Sequence, residues 1–232
     1  MTGATASGGV VPLWRLPDFR RYWVAREVSI AGTLVTAVAL PVLVYRLTGS
    51  PSLTALIAVV EGLPYLMFGL VSGALSDRLD RRQVMVLADL VAAVVIASVP
   101  LAHWFGTLTA AHALLAGFLA QAAFVFFDGA AFGALPAIVG RERIGEANAA
   151  IWGVGSFLDL GVPMLAGVLL AVVDPAVLLG LDALSFALSA ACVAGIRSRL
   201  SEERGVVPKL RPRVLAAEVA EGPRVLWGHA GV

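Results

Sequence analysis

Long apolar runs separated by short polar stretches set the pattern of this chain. Six runs reach or exceed the roughly 20 residues that a helix needs to cross a bilayer core of about 30 Å. They lie at about 23–45, 53–75, 84–105, 112–139, 149–173 and 176–196. Since helices satisfy their own backbone hydrogen bonds in lipid, the pattern predicts an all-α membrane protein with six transmembrane helices.

The composition supports this prediction. Of the 232 residues, 59% are hydrophobic and 14% are charged, too few polar side chains to cover a soluble globule. The single cysteine, Cys192, excludes an internal disulfide. The sequence has no nucleotide-binding loop, zinc-ligand spacing or paired nucleophile and base, so we expect no enzyme activity, cofactor, metal site or nucleic-acid partner.

Basic residues alternate between the two sides of the predicted membrane. They precede the first span and follow the second, fourth and sixth: Arg15, Arg20 and Arg21; Arg78, Arg81 and Arg82; Arg141 and Arg143; and seven residues from Arg197 to Arg224. The other three loops hold only Arg46. Because loops rich in arginine and lysine stay on the cytoplasmic side, we expect a multi-pass cell-membrane protein with both termini in the cytoplasm.

Three parts of the chain follow from these patterns. Residues 1–22 mix aromatic rings with arginines and are predicted to lie at the cytoplasmic interface. Residues 23–197 form the six-helix domain, and 198–232 form a basic cytoplasmic tail that favours a short surface helix. Arg26 and Glu27 fall in the first turns of the first span, where we expect their long side chains to reach the membrane surface.

A weak internal repeat relates the two halves of the membrane domain. Pro41 in the first span and Pro136 in the fourth each follow the pair Ala-Leu. Because each repeat has three spans, an odd number, the second repeat starts on the opposite side of the membrane from the first. The pattern therefore predicts two inverted three-helix repeats. Four prolines could mark bends used in rocking: Pro41, Pro64, Pro136 and Pro163.

A loop of high charge, GALSDRLDRR at 73–82, follows the second span. Gly73 lets another helix backbone approach closely, and Asp77 is able to meet the partly positive N-terminus of a neighbouring helix. Three arginines, Arg78, Arg81 and Arg82, are suited to lipid phosphates or acidic side chains and resist crossing the bilayer. The loop is therefore predicted to stay on one side of the membrane.

This loop resembles the major facilitator superfamily signature Gly-x-x-x-Asp-Arg-x-Gly-Arg-Arg, found between the second and third helices. Asp80 stands at the second glycine position, and aspartate tolerates a left-handed backbone, so we expect the same turn. Other segments resemble the drug-efflux branch that includes macrolide and enterobactin exporters: Asp18-Phe19-Arg20-Arg21, Phe127-Asp128, Ala147-Asn148, Gly161-Val162-Pro163, Gly167 and Leu181-Asp182-Ala183.

The resemblance implies the N-terminal six-helix half of a transporter in a bacterial cytoplasmic membrane. Such a transporter exports small amphipathic compounds or drugs by alternating access, often coupled to protons. It also implies a second six-helix half, from the same or another chain, against which the gating loop packs: Gly73, Asp77, Arg78, Arg81 and Arg82. The fourth span departs from this pattern: it lacks the arginine that many proton-coupled members carry, and only Gln121 lies in the corresponding region. A non-transporting partner or scaffold subunit is the alternative.

Three carboxyl groups fall near the middle of predicted spans: Glu61, Asp128 and Asp159. A carboxylate at bilayer depth costs several kcal/mol unless it faces protein or water, or takes a proton. We predict that the three line a substrate or proton pathway; the alternative is a protonated carboxyl that joins two helices. Asp89 and Asp182 lie nearer to span ends, where we expect solvation at the interface.

Overall fold

A computed structural model describes residues 12–201. Six long helices account for most of this range: α1 Pro17–Thr48, α2 Pro51–Ser76, α3 Arg81–Trp104, α4 Ala110–Val139, α5 Ile144–Leu169 and α6 Pro175–Ala194. Short 3-10 turns precede α1 and α5, at Leu13–Arg15 and Arg141–Arg143. All six helices are long and apolar enough to span a membrane, which confirms the predicted number and type of elements. The predicted tail helix lies outside the described residues.

Polar side chains fix the starts of four helices. Each accepts a hydrogen bond from a backbone amide in the first turn, as is usual for N-caps: Ser50 for α2, Asp80 for α3, Thr109 for α4 and Asp174 for α6. Gly49 ends α1 with a left-handed φ of 64°, a conformation that costs glycine little. The helix boundaries thus follow from local chemistry.

The predicted interfacial segment continues directly into the first span. α1 begins at Pro17 rather than near residue 23. Phe19 and Tyr22 are buried, and the Tyr22 hydroxyl donates to the Ala131 carbonyl on α4 at 3.0 Å. Tyr22 therefore ties the start of α1 to α4.

The contacts between helices follow an approximate twofold relation. α1 packs against α6 and α5, while α4 packs against α3 and α2. If α1, α2 and α3 are matched with α4, α5 and α6, the α1–α6 contact corresponds to α4–α3, and α1–α5 corresponds to α4–α2. The contact between α3 and α6 maps onto itself. This arrangement is that of two inverted three-helix repeats.

Two helices lie at the edge of the bundle. In the 18-residue apolar stretch of each span, only 11% of the residues are buried in α2 and α5, against 39% or more in the other four helices. Their outer faces carry large apolar side chains, including Leu66, Leu70, Phe157, Leu160 and Met164. These faces are suited to lipid or to another helical body.

The four prolines predicted as bends lie inside α1, α2, α4 and α5, and each helix continues through its proline. A fifth, Pro100, lies inside α3. Each proline removes one backbone donor and disturbs the helical hydrogen bonds. Their use as bends during transport stays a prediction.

Candidate functional site

A cavity of about 390 Å³ opens between α1, α2, α4 and α5. This volume is in the range of small-molecule sites. Its polar wall consists of Arg26, Thr33, Gln121, Asp128 and Asp159. Apolar and aromatic side chains form the rest, namely Ile30, Leu34, Tyr65, Phe124, Ile151 and Trp152, with Gly155. The cavity therefore combines charged groups with aromatic surface.

An ion pair joins α1 to α4 in this wall. The Nη2 atom of Arg26 lies 2.8 Å from Oδ1 of Asp128. Arg26 lies about 14 Å along α1 from its first residue, and Asp128 about 16 Å from the matching end of α4, at 1.5 Å per residue. The expectation that Arg26 reaches the membrane surface is wrong, because Asp128 neutralises its charge within the bundle.

Glu27, the next residue, is also buried. It is 5% exposed, and neither carboxyl oxygen has a hydrogen-bond partner among residues 12–201. The expectation of a surface position is therefore wrong for Glu27 too, because α1 is enclosed by its neighbours at this level. Two adjacent charges inside an apolar run were the sequence signal for this site.

A smaller cavity of about 30 Å³ adjoins the first. Glu61, Thr36 and Asp182 line it, and it shares Thr33, Gln121 and Phe124 with the larger cavity. This volume is enough for one water molecule. The structure thus brings Asp128 and Asp159 into one cavity and places Glu61 in its neighbour, across a common wall.

Asp182 is 1% exposed and forms part of the contact between α6 and α1. It accepts hydrogen bonds from the Thr36 and Ser185 hydroxyls. Asp89 on α3 is also 1% exposed. The predicted interfacial solvation is wrong for both aspartates, because α3 and α6 are packed against each other and bury both side chains.

The loop between α2 and α3 is closed by an ion pair. Asp77 Oδ1 lies 3.1 Å from Nη2 of Arg81, the first residue of α3. Arg81 is 9% exposed, and a Cβ at Gly133 on α4 would lie 2.6 Å from its Nε. The guanidinium is thus packed against the α4 backbone. A Cβ at Gly73, by contrast, would meet no described atom within 4 Å.

Asp80 caps α3 with an extended backbone, φ −67° and ψ 111°. Its Oδ1 accepts hydrogen bonds from the Arg82 and Gln83 amides at 2.9 and 3.2 Å. The predicted left-handed turn is wrong, since no non-glycine residue in the described chain has a positive φ. Aspartate serves here as a cap and does not replace the glycine conformation.

The chain that leaves α6 is held at this end of the bundle. Asp18 on α1 accepts hydrogen bonds from the Arg197 and Ser198 amides and from the Ser198 hydroxyl. Arg82 Nη2 donates to the Ser198 carbonyl at 2.6 Å, and Arg81 Nη1 donates to the Leu200 carbonyl at 3.1 Å. The segment 196–200 therefore lies between the starts of α1 and α3, which the sequence did not indicate.

The described residues offer no cluster of metal ligands. Across residues 12–201 no three His, Cys, Asp or Glu side chains form a group that could hold a metal ion. The acidic residues of the two cavities come singly from different helices. The arrangement is suited to binding a molecule or a proton.

Known efflux proteins are similar in sequence to most of this chain. The profile of the family described as transmembrane secretion effector matches residues 7–217. The multidrug efflux pump Tap of Mycobacterium tuberculosis is 29% identical over 211 residues, 88% of this chain and 49% of Tap. Macrolide efflux protein A of Streptococcus pyogenes is 24% identical over 225 residues, 94% of this chain and 53% of that protein.

The enterobactin exporter EntS of Citrobacter koseri is 32% identical over 159 residues, 67% of this chain and 37% of EntS. The chain thus spans about half the length of Tap and of macrolide efflux protein A. No solved structure matches it. The family profile covers all six helices, and the chain therefore belongs to the transmembrane secretion effector family of the major facilitator superfamily.

Proposed function

We propose that this chain forms six helices of a secondary transporter that exports small amphipathic compounds by alternating access. The cavity between α1, α2, α4 and α5 carries this proposal, since it has the size and the mixed polar and aromatic lining of a ligand site. Relatives of the chain are a multidrug efflux pump, a macrolide efflux protein and an enterobactin exporter.

The cavity lining favours a substrate with an apolar body and a positive group. Tyr65, Phe124 and Trp152 offer aromatic surface, which binds apolar groups and also attracts cations. Arg26 is engaged by Asp128, so Asp159 is the carboxyl in this wall that is left to meet a positive group. Glu61 lies in the neighbouring smaller cavity and adds a further carboxyl to the proposed substrate or proton pathway.

Alternating access needs a second body that rocks against the first. The apolar outer faces of α2 and α5 are the surfaces proposed to meet a second six-helix half. The loop of Gly73, Asp77, Arg78, Arg81 and Arg82 would then lie at the inner gate, and the four prolines would serve as bends. Residues 23–197 are the proposed membrane domain in a bacterial cell membrane, with 1–22 and 198–232 on the cytoplasmic side.

Proton coupling is part of the proposal. The fourth helix lacks the arginine that many proton-coupled members carry, and Gln121, which lies in the corresponding region, lines the same cavity as Arg26. Arg26 on α1 thus supplies a cation to this cavity from a different helix. A guanidinium beside several carboxyls allows proton binding and substrate binding to influence each other.

Neutral variants of the acidic residues test the assignment. We expect Asp159→Asn and Glu61→Gln each to reduce efflux about tenfold, the effect of losing about 1.4 kcal/mol of interaction. The measurement is export of a cationic dye from bacteria that lack their own pumps and produce the complete transporter. Glu142→Gln, at an exposed residue of the turn before α5, is the control.

If either variant is produced at normal abundance and its efflux is unchanged, the substituted residue is not part of the pathway. If the wild-type complex is folded in vesicles but moves no dye in either direction, the transport proposal fails. The non-transporting partner or scaffold would then be the better assignment.

A further inference from the structure

A groove of about 280 Å³ runs between the start of α1 and the end of α6. Pro17, Arg20, Arg21 and Val24 form its α1 side, and Cys192 forms its α6 side. It shares no lining residue with the two cavities that hold the acidic side chains. Because two guanidinium groups lie beside apolar surface here, the groove is suited to an anion that has an apolar part.

The two arginines differ in how they are held. Arg20 is exposed, and within residues 12–201 its side chain has no ion pair or hydrogen bond. Arg21 gives one Nη1 donor to Asp18 at 3.1 Å, and a guanidinium has five N–H donors in all. The stem of Arg21 packs against the end of α6, since a Cβ at Gly195 would lie 3.5 Å from its Cδ. Arg21 is therefore fixed in place and keeps donors for a second acceptor.

The acid beside Arg21 is already bound by several donors. Asp18 accepts hydrogen bonds from Arg21, from the Arg197 and Ser198 amides and from the Ser198 hydroxyl, at 2.6–3.1 Å. Arg197 is exposed and adds a third arginine at this end of α6. Positive charge thus exceeds negative charge around the groove, which favours a bound phosphate group.

An apolar track leads away from the groove along α6. It consists of Cys192, Leu188, Leu184 and Leu181, which lie three or four residues apart and so share one face of the helix. The three leucines are 51–66% exposed. At 1.5 Å per residue the track is about 16 Å long. This length is about half of the bilayer core of about 30 Å, which is the depth of one leaflet.

We propose that this groove binds one anionic phospholipid from the leaflet at the same end of the bundle. Arg20 and Arg21 hold the phosphate through charge-assisted hydrogen bonds, and one acyl chain lies along the α6 track. Basic pockets between membrane helices bind acidic headgroups in this way. The track favours a lipid over a soluble phosphate ester, because a soluble anion would leave the leucines uncovered. The bound lipid joins the start of α1 to α6, and this role does not depend on transport.

The binding test uses the full 232-residue chain in detergent micelles. The probe is phosphatidylglycerol with a photoreactive diazirine in one acyl chain, and mass spectrometry maps its cross-links. We expect the cross-links to concentrate at residues 181–192. Arg20→Gln, which keeps the Asp18–Arg21 pair, should reduce them about tenfold, the effect of losing about 1.4 kcal/mol of interaction. Arg20→Lys should restore part of the binding, because it keeps the charge. Arg141→Gln, at another exposed arginine, is the matched control and should change nothing.

Competitors distinguish a lipid from a soluble anion. Unlabelled phosphatidylglycerol should displace the probe, whereas phosphatidylcholine with the same chains, or glycerol 3-phosphate in hundredfold excess, should not. Displacement by glycerol 3-phosphate would assign the groove to a soluble phosphate ester. Equal displacement by phosphatidylcholine would show that the arginines do not select the headgroup. Either result overturns the proposal, as do cross-links spread evenly over all six helices or cross-links that Arg20→Gln leaves unchanged.

Discussion

The contact between Gly32 and Asp182 shows how one residue shapes the α1–α6 interface. A Cβ built at Gly32 would overlap the Asp182 carboxylate and the Ser185 hydroxyl. The absence of a side chain thus makes room for a buried acid and its two hydroxyl donors. Glycine is required here by space, since its backbone is helical.

We expect Gly32→Ala to destabilise the bundle by about 1–3 kcal/mol, the usual cost of overpacking. The measurement is unfolding in mixed micelles followed by circular dichroism. Gly62→Ala is the matched control, because a Cβ at Gly62 meets no described atom within 4 Å. That change should be neutral or stabilise by up to about 1 kcal/mol, since alanine favours the helix. Equal stability of the two variants would contradict this account of the contact.

Single residues were predictable only as far as their own chemistry determines their position. The cost of a charge in lipid is enough by itself to predict that Asp128 and Asp159 turn away from lipid, and both line the cavity between α1, α2, α4 and α5. Their partners were not predictable, because the rotation of α1 and α4 about their axes decides whether Arg26 meets Asp128. The rotation of α3 and α6 likewise buries Asp89 and Asp182, which their distance from the run ends did not reveal.

At the scale of elements, α3 depends on its cap. Asp80 accepts two amide hydrogen bonds at the start of the helix, beside the Asp77–Arg81 ion pair. The cap therefore fixes the point at which the chain turns back into the membrane. Apolar length was enough to predict each helix, but the start of α1 at Pro17 needed the buried rings of Phe19 and Tyr22.

Replacing the cap should loosen the first turn of α3. We expect Asp80→Ala to cost about 0.5–2 kcal/mol, and Asp80→Gly only a few tenths, since glycine is an acceptable N-cap. Hydrogen exchange at the Arg82 and Gln83 amides measures the effect, with faster exchange in the alanine variant. If glycine proves much worse than alanine, the cap does not explain the role of Asp80.

At the scale of the whole molecule, the two ends of the bundle are chemically different although the two repeats are inverted. The end with the α2–α3 loop carries Arg81, Arg82, Arg141 and Arg143, whereas Arg46 lies at the other. The charge asymmetry and the two-repeat architecture could be predicted from the sequence, because they depend on the number of basic residues in each loop and on the number of apolar runs. The cavities were not, because they form between helices from both repeats.

Labelling of introduced cysteines tests the proposed orientation. In a Cys192→Ser background, an impermeant thiol reagent added outside intact cells should modify Thr107→Cys and spare Glu142→Cys. Both positions are exposed and lie in turns at opposite ends of the bundle. After the cells are opened, both should react. Labelling of Glu142→Cys in intact cells would show that the orientation is opposite to the one proposed.

The unequal lengths of α1 and α6 have a mechanical consequence. α1 has 32 residues and α6 has 20, so at 1.5 Å per residue they measure about 48 and 30 Å. α6 matches the bilayer core, but α1 must tilt or project beyond it. Because Asp18 at the foot of α1 binds Ser198 just after α6, a change in membrane thickness that alters the tilt of α1 would pull on the chain that follows α6. A change in bilayer thickness would therefore exert a force on the contact between Asp18 and Ser198.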